Sequence, residues 1–497
     1  METNAGGLAL PGVLARIGLP HLLLLALGLR LAVLAIATPA HPDEVFQYLE
    51  TAHRLVFGHG VVTWEWRAGM RGWLLPLLVS GPMWLGGVLA PHSGLYLFLP
   101  KLVATLASLV VVAVAWRLGE RVSRLHAQVA GFVAAIWYDF IYFAPHVLSE
   151  TVGDLLILPA AWLLIDKPRW TWPRLMLAGA LLAAAVTIRF QYAPAVAALA
   201  IAACVRDLRR CWLPVLVGGL IGLLPSILSD LAMGATPFAW VLENVQLNLI
   251  EHRAESFSAS GPLGYVGEVW PRMALWAVPL IGLAAIGARR YPALAWMAGV
   301  NLIFHSLIAH KEYRFLLVSV VAAVLLAAIG TVDWAHHDER KHGPKAGRER
   351  LRFLLVVWVL ASLSCTVGAY RLQWMKFRPE MQLYTRLRHD PALCGLAVYR
   401  HNWSMTGGYA YLHRATPMFL FYDNDEGRPA TNLAASAPAF NTVLTAPGLA
   451  REIPAGFASI GCENGAPERL CLYRRPGSCA PGSSRFEINK VLRRIDQ

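Results

Sequence analysis

The chain has 497 residues, of which 56% are hydrophobic and only 15% charged, with a formal net charge of +13 and a mean hydropathy of +0.48. A soluble chain carries about 25% charged residues, so a string of ordinary globular domains is excluded. Runs such as 102–116, 212–229 and 315–329 read instead as a polytopic membrane protein, and the surplus of basic charge as cytoplasmic loops, with no nucleic-acid partner implied.

The N-terminal stretch 1–20 flows into 22–38 without an export cleavage site, which predicts an uncleaved first span at 17–37. Span-like segments follow at 73–90, 95–116, 128–146, 151–165, 175–205, 212–230, 272–288, 291–309, 313–331 and 351–370. Two are irregular. Segment 73–90 carries Pro76, Pro82, Gly86 and Gly87, and 175–205 holds Arg189 at its middle and would be about 46 Å long as one helix. The basic loops 117–124, 167–174, 206–210, 289–290 and 340–352 all belong on the cytoplasmic side. They do so if 73–90 does not cross fully and 175–205 is two short helices meeting near Arg189. About 11 spans result, with the N-terminus inside and the C-terminus outside. Five polar clusters then share the external face: 41–71, 146–154, 189–192, 230–270 and 310–314. Polar groups at span ends are costly unless they line an aqueous cavity or serve chemistry, so the clusters predict one outward-opening site.

Residues 1–370 read as the membrane body, with external loops at 38–94 and 231–271. Beyond 371, Gly, Pro, Asn, Arg and Asp increase and no run reaches span length. Strands are predicted at 394–398, 418–422, 440–444 and 469–473, the second closed by Asp423-Asn424-Asp425, so 371–497 reads as a small external α/β domain. Cys394, Cys462, Cys471 and Cys479 fall there and suit one or two bridges in an oxidising space. Cys204, Cys211 and Cys365 lie in or beside spans.

Directly after the first span comes His41-Pro42-Asp43-Glu44-Val45-Phe46-Gln47-Tyr48. Pro42 suits a first helical position, and Asp43 and Glu44 a first turn, where negative charge is favourable. Capping alone accounts for them. Yet Glu50 and His53 add further ionisable groups beside a membrane, and a carboxylate at a helix start also suits a general base for an alcohol. The stretch 63–73 is an aromatic belt with headgroup charges, or a surface where Trp64 and Trp66 stack on sugar faces while Glu65 and Arg71 take hydroxyls or phosphate. Arg189, inside an apolar run, requires a carboxylate partner or an anionic ligand. Lys311 and Arg314 are three apart and on a helix would converge on one phosphate, with Glu312 turned elsewhere; a charged loop is the alternative. His305 and His310 suit packing as well as catalysis, and Asp139 is a buried carboxylate without an assigned partner. His41, Asp43, His53 or Glu150 could ligate a metal, but no spacing demands it. No phosphate-binding Gly loop, GxSxG elbow, HExxH or dinucleotide fingerprint occurs. Two classes survive: an enzyme acting on a lipid phosphate at the outer face, and a lipid-linked substrate transporter or flippase. The second predicts an inverted repeat that the sequence lacks, and leaves the tail unexplained.

His41-Pro42-Asp43-Glu44-x-Phe46-Gln47, with Thr63-Trp64-Glu65-Trp66 and Arg71-Gly72-Trp73, resembles the first external loop of the dolichyl-phosphate-mannose-dependent mannosyltransferases. These enzymes build asparagine-linked glycans and glycosylphosphatidylinositol anchors. His310-Lys311-Glu312-Tyr313-Arg314-Phe315-Leu316 resembles that family's second hallmark; Arg189-Phe190-Gln191 and 244–248 are similar but less specific. Covering about 38–315, the resemblance implies a C-type glycosyltransferase fold in the lipid bilayer. It also implies inverting transfer of a sugar, mannose first, from a polyprenyl-phosphate donor to a glycan or glycolipid hydroxyl. Asp43 would be the catalytic base. Lys311, Arg314, Arg189 and His310 are expected on the donor phosphate, and Glu44, Gln47, Trp64, Glu65, Trp66 and Arg71 on substrate. His401, Trp403 and Tyr409 of the tail are candidates for the acceptor. No metal or other cofactor is expected, because the cations absorb the charge of the leaving phosphate. The tail and the pair of helices around Arg189 depart from eukaryotic members, and the Arg-, Ala- and Leu-rich composition reads as a bacterial inner-membrane protein with a periplasmic site.

Overall fold

The computed structural model describes residues 16–205, 207–256, 259–422, 428–465, 469–480 and 484–495; Asp423-Asn424-Asp425, expected to close a strand, lie outside them. Among the described residues, five of the expected segments form helices long and apolar enough to cross a membrane: Leu95–Glu120, Arg209–Ala232, Gly264–Ala288, Tyr313–His342 and Pro344–Gly368. Shorter apolar helices are Leu19–Leu34, Leu74–Leu89, Trp172–Ile188, Phe190–Cys204 and Pro292–Leu307. The 175–205 run breaks where its arginine stands. Trp172–Ile188 stops at Arg189, whose backbone is extended (φ −143°, ψ 94°), and a 3-10 turn leads into Ala193–Cys204. Segment 128–146 is also interrupted, which its apolar pattern did not foretell. Trp137 turns extended between Arg124–Ile136 and Tyr138–Tyr142, with its indole buried edge-on against Trp358.

The chain divides into two compact units. The first comprises Met1–Ile36, Gly72–Leu74 and Lys101–Tyr370. Its helices approach closely through small residues, the usual solution where lipid supplies no hydrophobic drive between helices. Trp172–Ile188 meets Leu213–Ala232 at Gly179 and Gly218, where an added Cβ would lie 1.9 Å from a carbonyl oxygen of the opposite helix in each case. On the outer face of the latter helix Leu216, Leu220, Leu224 and Leu228 are all exposed. Their four-residue spacing makes one apolar stripe suited to lipid.

The second unit comprises Ala37–Arg71, Leu75–Pro100 and Arg371–Gln497. Most of the 38–94 loop thus falls in one unit with the 371–497 tail. Polar contacts explain the grouping. Asn489 donates to the Gly60 carbonyl and accepts from the Val62 amide, and Arg67 donates to the Leu492 carbonyl. The tail carries a five-stranded sheet: β1 (Leu396–Tyr399), β2 (Met418–Phe421), β3 (Thr442–Thr445), β4 (Ala458–Glu463) and β5 (Leu470–Arg474). Its order is β2-β1-β3-β5-β4, parallel across the first three and antiparallel across the last three. Four strands were legible as apolar runs. β4 was not, because it is a half-exposed edge strand with no alternating apolar face. Cys394–Cys479 and Cys462–Cys471 are bridged, the second pair facing each other across β4 and β5. A third bridge, Cys204–Cys211, was not expected beside the basic loop 206–210. The two Cα atoms lie 5.5 Å apart, inside bridging range.

Candidate functional site

The candidate residues fall into two groups, one in each unit. In the second unit the helix begins at Pro42 and Asp43 as expected, but Glu44–Leu49 forms a π-helical turn before Glu50–Phe57. Such a turn inserts one residue into the helical period and recurs where a side chain must be re-aimed. All six residues of the turn are buried, whereas Asp43 keeps 19% of its side chain exposed.

Glu44 turns back on the chain, its Oε2 accepting from the Ala40 amide at 2.8 Å. That is capping work. The Asp43 amide donates to His41 Nδ1 at 3.1 Å. Arg71 Nη2 lies 3.9 Å from Asp43 Oδ2 and 3.6 Å from Glu65 Oε1, one guanidinium serving two carboxylates. Glu65 sits on the short helix Trp64–Arg67, which Arg67 ties down by donating to the Val62 and Leu492 carbonyls. Trp64 and Trp66 are half-buried, and Gln47 Nε2 reaches Thr63 Oγ1 at 3.5 Å.

One turn further on the groups hold the fold. Glu50 is fully buried and accepts from the amides of Val61, Tyr409 and Ala410 at 2.6, 3.0 and 2.6 Å. Burial outweighs those donors and pushes its carboxyl up to about 7. His53 meets the His59 carbonyl and His413 Nδ1, both at 3.0 Å, and burial pushes it down to about 3. The tail candidates occupy packed positions. Tyr409 is buried and lends its amide to Glu50, Trp403 packs edge-on against Phe46 at 4.8 Å, and His401 Nε2 lies 3.2 Å from Glu380.

In the first unit three of the polar clusters come together. Glu150, fully buried in the first turn of Ser149–Ile165, places Oε1 3.0 Å from Arg189 Nη1 and 3.1 Å from Arg314 Nη1. Ser149 donates to its other oxygen at 3.0 Å. The Arg189 guanidinium lies 4.7 Å from the Phe315 ring, and its Nε is buried without a hydrogen-bond partner among the described residues. Glu312 binds Arg314 Nε at 2.5 Å and His310 Nε2 at 2.8 Å.

Lys311 departs from expectation. Residues 310–312 are not helical, Glu312 being extended (φ −137°, ψ 143°) with a 3-10 turn starting at Tyr313. Lys311 and Arg314 therefore do not share a helix face. Lys311 Nζ goes to the Ser260 carbonyl at 3.1 Å and lies 5.8 Å from the Tyr265 ring centre, and burial lowers its ammonium from the usual range. Asp139 acquires partners that sequence could not supply: the hydroxyls of Tyr313 and Tyr370 at 2.7 and 2.6 Å and the Trp137 indole at 3.3 Å. Glu150 had been singled out only as one possible metal ligand. Its signal was a carboxylate at the head of a largely apolar span, one turn before Asp154. Among the described residues no group of three or more His, Cys, Asp or Glu is placed to hold a metal ion.

Residues 19–413 match the Alg9-like mannosyltransferase family. The GPI mannosyltransferase 3 of Yarrowia lipolytica is 27% identical over 388 residues, covering 76% of this chain and 72% of that protein. Among solved structures, ArnT from Cupriavidus metallidurans bound to undecaprenyl phosphate aligns over 93% of this chain and 98% of its own, with a TM-score of 0.57 and 13% identity. The Archaeoglobus fulgidus oligosaccharyltransferase aligns over 87% of this chain and 68% of its own, with a TM-score of 0.51 and 11% identity. The fold of this chain is accordingly the C-type glycosyltransferase fold of a multi-pass membrane protein with a small C-terminal sheet domain.

Proposed function

The chain belongs to the Alg9-like mannosyltransferase family and is a mannosyltransferase, and from that premise we propose that it moves mannose from a polyprenyl-phosphate donor to a hydroxyl of a glycolipid or glycan. The transfer takes place on the membrane face opposite the basic loops, periplasmic in a bacterial cell. It inverts the anomeric centre. Asp43 takes the proton of the acceptor hydroxyl as that oxygen attacks C1 of the sugar from the side opposite the phosphate. The C1–O bond to the phosphate breaks, and the polyprenyl phosphate leaves with the electron pair. Cations rather than a general acid meet the developing charge, and no metal is required.

The observation that carries the donor-phosphate role is Arg189. Its Nη1 and that of Arg314 hold one Glu150 oxygen, while its buried Nε–H has no partner among the described residues. A buried donor left unsatisfied is expensive, and a phosphate oxygen would satisfy it. Asp43 supports the role of base by being partly exposed beside Arg71, unlike Glu44, which is committed to capping. Arg71 and Glu65 orient it, Lys311 and His310 shape the loop that carries Arg314, and Gln47, Trp64 and Trp66 contact substrate. His401, Trp403 and Tyr409 hold the tail in shape.

The test is transfer from radiolabelled polyprenyl-phosphate-mannose by the purified full-length protein against lipid-linked and free acceptors. Asp43→Asn should lower the rate by about 10²–10⁴-fold while donor binding persists, and wild-type transfer should survive EDTA. Donor binding with full transfer in Asp43→Asn would remove it as base; absence of donor binding to the wild type would overturn the polyprenyl-phosphate donor.

A further inference from the structure

At the opposite end of the helices that carry Glu150 and Arg189 lies a cavity of about 690 Å³. Glu150 opens Ser149–Ile165, and Asp166 follows its last residue. Sixteen residues of helix separate them by about 24 Å, so the cavity is remote from the Glu150 cluster. Its walls come from three helix ends and the basic loops. Arg117 and Arg121 close Leu109–Glu120, Trp162 and Asp166 end Ser149–Ile165, Arg169 lies on the following 3-10 turn, and Arg174 begins Trp172–Ile188.

The charge there exceeds what the fold needs. Asp166 is buried and receives three guanidiniums, Arg121 at 2.6 Å, Arg169 at 3.2 Å and Arg174 at 3.3 Å. Arg117 pairs with Glu120 at 2.8 Å. Four arginines against two carboxylates leave the wall with two positive charges in excess. Arg174 adds a second observation: its guanidinium carbon lies 4.9 Å from the Trp162 ring centre, and its Nε is buried without a hydrogen-bond partner among the described residues. The level of the cavity along the helices is marked as well. Trp162, Trp170 and Trp172 cluster at this end, Trp172 half-exposed, and tryptophan gathers at the headgroup level of a bilayer. A free phosphate would need the arginines but not an indole belt.

We propose that this cavity binds the phosphate of an anionic lipid headgroup, a phosphomonoester above all, in the leaflet on the side of the basic loops. The two excess charges match the charge of about −1.5 to −2 that a phosphomonoester carries at neutral pH. Guanidiniums offer paired N–H donors suited to phosphate oxygens. The site is separate from donor binding and takes no part in sugar transfer.

The test uses the full-length protein in nanodiscs and native mass spectrometry, with dioleoyl phosphatidic acid as the probe and dioleoyl phosphatidylcholine as the control. The wild type should retain one phosphatidic acid per chain in preference to phosphatidylcholine. Arg117→Gln with Arg169→Gln removes the two most exposed arginines of the wall and spares the other two contacts to Asp166. Each basic residue near an anionic surface is worth about fivefold in binding, so the pair should weaken retention about 30-fold, with unchanged mannosyl transfer as the check on folding. Equal retention of the two lipids by the wild type would overturn the proposal, as would retention unchanged in the double variant. Displacement of phosphatidic acid by millimolar inorganic phosphate, but not by sulfate or chloride at equal ionic strength, would mean a site for free phosphate and would overturn the lipid assignment.

Discussion

Replacing Glu50 by Gln isolates the ionisation of one buried carboxyl in the second unit. The Glu50 carboxyl stands at about 7 in the folded chain against 4.5 for the ordinary group, raised by burial and only partly lowered by the Val61, Ala410 and Tyr409 amides. A carboxyl whose pKa is higher folded than unfolded binds more protons in the folded state between those two values. Its contribution to stability therefore falls as pH rises from about 4.5 to about 7. Each pH unit between those two values is worth about 1.4 kcal/mol, so the whole window amounts to about 3 kcal/mol. Glutamine keeps the shape but cannot ionise. At pH 5 the variant should lie within about 1 kcal/mol of the wild type, since one amide N–H loses its acceptor. By pH 8 the wild type should have lost about 3 kcal/mol relative to the variant. Thermal unfolding of the detergent-solubilised full chain, followed through the sheet-bearing unit, reads this as a relative shift of roughly 10 °C, at about 2–4 °C per kcal/mol for a unit of this size. Curves that stay parallel from pH 5 to pH 8 would refute the reasoning.

The neighbouring histidines act with the opposite sign. Burial lowers His53 to about 3 and His413 to about 4, so the unfolded chain takes up protons first, and their stabilisation, complete above about pH 6.5, drains away as pH falls below it. His413→Phe, which keeps the stack on Tyr96 at 3.9 Å, should flatten the acid limb of the same unfolding curves. Gly408 has φ +55°, and a Cβ there would lie 2.6 Å from Glu50 Oε2; Gly408→Ala should cost at least about 1–2 kcal/mol, seen as a lower midpoint at every pH. Glu150→Gln leaves Arg189 and Arg314 without their shared carboxylate and should destabilise the first unit by about 3–5 kcal/mol, a loss measurable by thermal aggregation. Arg189→Lys keeps charge but not the planar donor fork, and should reduce transfer by about 10²–10³-fold with the larger part of the change in donor handling, as separate variation of donor and acceptor concentration would reveal.

Much of this architecture was written in local pattern. Spans are legible because lipid demands long uncharged helices, and the break at Arg189 is legible because a guanidinium cannot stay in the middle of one. The Asp43 motif could be found because so many ionisable groups beside a membrane are rare, and the four tail cysteines because composition changes at 371. What tertiary structure decided were relations between distant residues. Cys462 faces Cys471 only because β4 and β5 pair in that register. Glu50 belongs with Tyr409 and Ala410 across about 360 residues, and this brings the first loop into one unit with the tail. Lys311 and Arg314 part company because Glu312 is extended, and Arg314 instead joins Arg189 on Glu150. Periodicity and charge are properties of neighbours along the chain and determine which segments are helices and where polar groups are concentrated. The partner of a buried charge is chosen by packing, which no local pattern records.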